Sequence, residues 1–232
     1  MNILTSIFLT VRNFLFPGVC VLCNETLLKP DEVKFGLCKN CSNIEYNSLN
    51  GTCKICGKPL ISEIETCLSC RNEKRIYDSL WTLFPYTGRY RKLLAFYKFG
   101  KTPALADFFA EKITKIIEEN PQLKDAEIVP VPPRKGKIKE TGWDQVEYLV
   151  KRLANYKINR CLRRKKSKVQ KNLNRKERLE NLKGRIYCEG SAPKTALIID
   201  DIITTGSTME VCADVLKSAG AERVYGLCLF FD

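Results

Sequence analysis

Two adjacent carboxylates, Asp200 and Asp201, follow the apolar run Leu197, Ile198, Ile199, and shortly after them comes Thr204, Thr205, Gly206, Ser207, Thr208. Apolar strand, paired acids, small-residue loop and helix, in that order, place a ligand site at the carboxyl end of a strand in an open α/β sheet. Backbone N–H groups and hydroxyls at a helix N-terminus hold a phosphate, and the helix dipole favours its charge. Gly206 permits a backbone shape and a closeness of approach that a side chain would obstruct. Asp200 and Asp201 can accept hydrogen bonds from vicinal ribose hydroxyls and help to hold Mg²⁺. An acid pair alone is often a solvated strand end, and a Thr-Gly-Ser turn alone is weak evidence; their combination carries the reading. The chain lacks G-x-x-x-x-G-K after this strand, so a triphosphate cradle fits poorly.

A second constellation is made of sulfur. Of 12 cysteines, eight form four C-x-x-C pairs: Cys20/Cys23, Cys38/Cys41, Cys53/Cys56 and Cys67/Cys70. Such pairs present two thiolates to one metal ion, and two pairs complete a closed tetrahedral Zn²⁺ site with no open position for substrate. Two structural zinc ions are therefore expected. Histidine is absent, which removes mixed Cys/His ligation. Sequential pairing of the knuckles is the simpler arrangement; a cross-braced one, first with third and second with fourth, is the alternative. Cys161, Cys188, Cys212 and Cys228 stand in apolar or strand-like contexts and read as inert core thiols.

The elements that position these groups follow from periodicity. Residues 1–18 have apolar residues at helical spacing and read as an amphipathic helix packing on the protein. Residues 19–74 are too poor in large hydrophobes to fold by burial alone, so metal is the organiser of a double zinc ribbon. Residues 75–232 have α/β texture. Strands are expected at 80–86, 127–131, near 158–162, at 195–199 and at 224–231, with helices at 90–99, 104–118, 144–154 and 208–217. Residues 163–185 read as a long loop with a short helix. Strands apolar on both faces, alternating with helices, argue a parallel sheet covered on both sides.

The net charge of +13 is concentrated: residues 151–185 hold 15 basic and 2 acidic side chains. Such a block attracts polyanions, either phosphorylated small molecules or nucleic acid; the plainer reading is a solvated basic loop. Only Tyr156 and Tyr187 lie in or beside it, so binding of single-stranded DNA would be electrostatic more than stacked. The N-terminus has no basic lead-in and carries Arg12 mid-segment, unlike a secretory signal, and no membrane span is expected. These features imply a cytoplasmic protein.

The segment LIIDDIITTGST (residues 197–208) resembles the PRPP-binding motif of type I phosphoribosyltransferases, and the whole chain resembles the ComF family of competence-associated proteins. The likeness also rests on the double zinc ribbon and on LAFYKFGKTPALADF (residues 94–108). VPVPPR (residues 129–134), the stretch 142–145 and NRKERLENL (residues 174–182) complete it. It implies a type I phosphoribosyltransferase-like parallel sheet with helices on both faces behind the zinc ribbon. It further implies that Asp200 and Asp201 take the ribose hydroxyls and that Thr204, Thr205, Gly206, Ser207 and Thr208 cradle the 5-phosphate. Arg134 and Lys135 would approach the pyrophosphate, with Mg²⁺ accompanying PRPP. A role in DNA uptake during natural transformation follows from the same likeness, with competence-machinery proteins as candidate partners. The reaction would be pentosyl transfer from PRPP; the alternative is a non-catalytic single-stranded-DNA-binding or adaptor protein. One departure is visible: Thr141-Gly142-Trp143-Asp144-Gln145 stands where the family commonly has Arg-Gly-Phe-Asn-Gln. It removes a cation and places the Asp144 charge near the expected diphosphate.

Overall fold

The computed structural model describes residues 18–43, 51–134, 136–165, 182 and 184–232. The expected N-terminal helix, Lys135 and residues 166–181 and 183 of the basic segment lie outside these.

A four-stranded parallel sheet in the order β1-β6-β5-β2 forms the centre, from β1 (Ser79–Pro85), β2 (Glu127–Pro130), β5 (Thr195–Ile203) and β6 (Arg223–Phe231). β5 and β6 are almost entirely buried, as strands covered on both faces must be. Pro85 ends the edge strand β1, where its missing N–H interrupts no ladder.

One face carries the helices α4 (Gly88–Lys98), α5 (Ala104–Glu119) and α7 (Gln145–Val150), packed on Leu197, Ile199, Leu227 and Leu229. Phe84, Phe108, Phe109 and Phe230 mesh there, with ring centroids 5.5–6.2 Å apart. The other face holds α8 (Ser207–Ser218) against Ala196, Ile198, Val224 and Cys228. Cys212 and Cys228 are buried among these side chains, in keeping with inert core thiols.

The zinc-ribbon half contributes α1 (Pro30–Phe35), α2 (Lys39–Ser42) and α3 (Leu68–Asn72). Its first unit packs on the α5 face through Phe35 and Phe108, 6.0 Å apart edge to face. Its second sends Ile55 to the α8 face, and Thr82 Oγ1 donates to the Gly57 carbonyl at 2.8 Å. The two units thus meet opposite faces of one sheet.

Two expectations change. Residues 158–162 form no central strand: Ile158 makes one parallel bridge to Ile128, and β3 (Leu162–Arg164) instead pairs antiparallel with β4 (Ile186–Cys188). The region expected to be loop and helix is thus rooted in a two-stranded ladder, whose pairing no local periodicity announces. β5 also runs to Ile203 rather than stopping at 199, because Ile202 and Ile203 continue the ladder opposite Phe230 and Phe231. A short helix, α6 (Lys137–Thr141), follows β2. Among the described residues, no helix is long and apolar enough to cross a membrane.

Candidate functional site

Asp200 and Asp201 lie inside β5, not beyond it, with Asp200 in register with Cys228. Their surroundings differ. Asp201 is buried, and its Oδ2 accepts from Lys98 Nζ at 2.9 Å and from Gln145 Nε2 at 2.5 Å. Burial alone would raise its pKa, but the Lys98 charge and both hydrogen bonds outweigh that and pull it below the ordinary carboxylate range. Asp200 goes the other way: burial, then the nearby Asp201 charge, push it well above that range. Asp201 N also donates to Asp200 Oδ1 at 2.8 Å, and of the two acids Asp201 is the one whose surroundings favour the charged form.

Gln145 is held for this task. Its Oε1 accepts from Lys137 Nζ at 2.6 Å, and the same ammonium reaches Asp144 Oδ2 at 2.7 Å. Asp144 also caps α7, accepting from Glu147 N at 2.9 Å. The Asp144 charge, expected near a diphosphate, is buried and engaged by Lys137 and the helix end. Tyr97 OH donates to the Gln145 carbonyl at 2.6 Å, fixing α4 to α7.

The loop 204–208 turns from β5 into α8 through Gly206, whose φ of +78° favours glycine. Thr205 Oγ1 and Ser207 Oγ are 2.9 Å apart, which gathers two hydroxyls at the N-terminus of a 12-residue helix. A turn of this kind presents amide and hydroxyl groups that an anion could use.

Arg134, after β2, is partly exposed and pairs with Glu140, one contact being 3.2 Å. Arg164 on β3 went unnoticed in the sequence. Burial lowers its pKa, and it stands within the fields of Asp200, Arg185 and Arg134. Its Nε is buried with no hydrogen-bond partner among the described residues. Lys98, Gln145 and Lys137 were likewise missed as site residues: Lys98 lay inside the stretch 94–108 and Gln145 inside 142–145, but only the fold shows them converging on Asp201.

The cysteines resolve into two sets. Cys20, Cys23, Cys38 and Cys41 form one, Cys53, Cys56, Cys67 and Cys70 the other, with every sulfur in a set within 4.8 Å of its companions. Ligation is sequential, not cross-braced. Cys23 and Cys38 sulfurs are 3.6 Å apart, Cys56 and Cys67 3.7 Å; a Zn–S₄ tetrahedron with bonds near 2.3 Å has edges of about 3.8 Å. Cys20 and Cys53, at equivalent positions, are lowered to about 7: burial opposes this, but backbone N–H groups of each knuckle point at the sulfur. Both sites thus fit a tetrathiolate zinc ion. Cys161 differs, pushed up to about 12 mainly by burial, and is no nucleophile.

Residues 11–71 match the double zinc ribbon domain family, and residues 164–232 match the phosphoribosyl transferase domain family. Fold and matches together define an α/β protein of the phosphoribosyltransferase-like class behind a zinc ribbon. Competence protein ComFC of Streptococcus pneumoniae is 28% identical over 88% of this chain and 96% of its own length. Competence protein F of Haemophilus influenzae is 27% identical over 90% and 95%. DNA utilization protein YhgH of Escherichia coli K12 is 25% identical over 92% and 96%. Along about nine-tenths of its length the chain is thus similar to competence and DNA utilization proteins, with a double zinc ribbon ahead of a phosphoribosyl transferase domain.

Proposed function

We propose that the protein binds PRPP, or a related ribose 5-phosphate, at the carboxyl end of β5, and that it serves the uptake or use of incoming DNA. One observation carries the ligand reading: an acid pair, its second member held by Lys98 and Gln145, lies directly before a glycine-turned pair of hydroxyls at the N-terminus of α8. The 5-phosphate takes the donors of 204–208, while the vicinal ribose hydroxyls face Asp200 and Asp201. Asp201, held by Lys98 and Gln145, accepts from one hydroxyl without reorganising; Asp200 faces the other, and where a Mg²⁺ accompanied the ligand any proton on Asp200 would be released to water. Arg134, with Lys135, approaches the diphosphate. Transfer, where an acceptor is present, forms a bond from the acceptor to C1 and breaks the C1–O bond, pyrophosphate leaving with the electron pair.

The test is calorimetric titration of zinc-loaded protein with PRPP and Mg²⁺, repeated for Asp200→Asn with Asp201→Asn. Micromolar binding by the parent and none by the variant is expected; equal binding by both would falsify the site. DNA enters through the relatives' names and the basic block. It is tested separately by the salt dependence of oligonucleotide binding.

A further inference from the structure

We propose that Arg75 is a positioning residue through which the second zinc site holds the phosphate cradle in shape. Arg75 lies just beyond α3, the helix carrying Cys70. Its Nη2 donates at 2.9 Å to the Oγ of Ser69, the residue beside Cys70 on α3. On its other side Nη1 meets Glu210 Oε1 at 3.4 Å, while Ile76 N donates to Glu210 Oε2 at 3.0 Å. Both side chains of this ion pair are buried, at 8% and 6% exposure.

Glu210 occupies the first turn of α8, and its own amide donates to the Gly206 carbonyl at 3.0 Å. Three links therefore run from the helix that bears Cys70 to the glycine that turns the cradle: Ser69 hydroxyl to guanidinium, guanidinium to carboxylate, and carboxylate-bearing turn to loop. Cys67 caps α3 and Cys70 lies within it, so a metal held by the second set fixes the helix that presents Ser69 to the Arg75 guanidinium. Without metal α3 loses that anchor, and the buried Arg75–Glu210 pair loses its hold on the ribbon side. The first ribbon touches α5 through Phe35, with no hydrogen bond to α8 among the described residues. The two zinc ions are thus inequivalent: both shape their ribbons, and only the second braces the ligand loop.

The proposal rests on the reading of 204–208 as a phosphate cradle, and its test separates the two. Zinc content, amide hydrogen exchange in α8 and ribose 5-phosphate affinity are measured for Arg75→Met, Arg75→Lys and Arg75→Met with Glu210→Gln. Arg75→Met should retain two zinc ions, exchange the first-turn amides of α8 about tenfold faster, and bind ribose 5-phosphate about tenfold more weakly. Arg75→Lys, keeping the charge, and the double variant, lacking an unpaired buried carboxylate, should each recover part of both effects. Cys23→Ser, which empties the first site, should leave α8 exchange unchanged. If parent protein does not bind ribose 5-phosphate but Arg75→Met still loosens α8, the brace stands and the ligand assignment falls. Unchanged α8 exchange in zinc-replete Arg75→Met overturns the brace. So does Cys23→Ser loosening α8 as much as Arg75→Met does.

Discussion

Lys98 and Asp201 meet at 2.9 Å, an ammonium near the end of α4 against a carboxylate inside β5. This ion pair favours the charged form of Asp201 over that of its neighbour. Replacing Lys98 by Met leaves Asp201 with Gln145 alone and removes a hydrogen bond to a charged group, a loss of about 1.5–3 kcal/mol. We expect a Tm lower by several degrees and weaker ligand binding; thermal scans and titration check both.

Asp200 predicts an opposite effect on stability. Its folded pKa is raised, so its contribution is complete below the unfolded value of about 3.9 and is lost as pH rises through the folded value. Asp201, with its pKa depressed, stabilises above the unfolded value and loses that as pH falls. Asp200→Asn should therefore melt higher than the parent near neutrality, with the gap shrinking toward pH 4, while ligand affinity drops. Asp201→Asn should melt lower at neutral pH. Scans of the three proteins between pH 4 and 8 decide; a gap for Asp200→Asn that grows on acidification contradicts the assignment.

Gly206→Ala asks whether the cradle needs its left-handed turn. An added Cβ meets only Ile203 Cδ1, at 3.7 Å, so the cost is conformational, about 1–2 kcal/mol. Loss of one amide hydrogen bond to the phosphate should weaken ribose 5-phosphate by roughly tenfold, equivalent to ~1.4 kcal/mol. An unaltered affinity would place the phosphate elsewhere.

Zinc analysis should return two ions per chain, falling to one in Cys23→Ser or Cys56→Ser. Titration with a thiol-directed mercurial should release both and abolish the cooperative melting of the ribbon half, since structural zinc supplies folding free energy. A protein that melts identically before and after release would refute a structural role.

Exchanging Lys165, Lys166, Lys168 and Lys171 for Gln should weaken single-stranded oligonucleotide binding evenly across sequences and flatten its salt slope, by about 0.7 for each phosphate no longer neutralised. Fluorescence anisotropy at several salt concentrations measures it. An unchanged slope would remove the block from the interface.

Much of this was legible in the chain. The parallel strands announced themselves as apolar runs, and α5, expected over 104–118, ends at Glu119. The cysteine spacing defined both zinc sites apart from their pairing, which is a fact of three dimensions. The acids were found, but their inequivalence was not, because it depends on Lys98 and Gln145 arriving from other helices. Asp144 misled for a similar reason: its charge is visible in the sequence, and its partner Lys137 is recruited only by the turn of α6. Arg164 sits on a strand whose partner follows a long excursion, so no local pattern marked it.

The Gly57 knuckle lies so close to β1 that a Cβ there would come within 2.7 Å of the Leu80 carbonyl oxygen. The second ribbon is thereby a guard over the outermost strand of the sheet. Unguarded, such an edge is a template for pairing with another chain. Zinc scarcity would then do more than loosen the ribbon: it would uncover that margin and favour association of one chain with another.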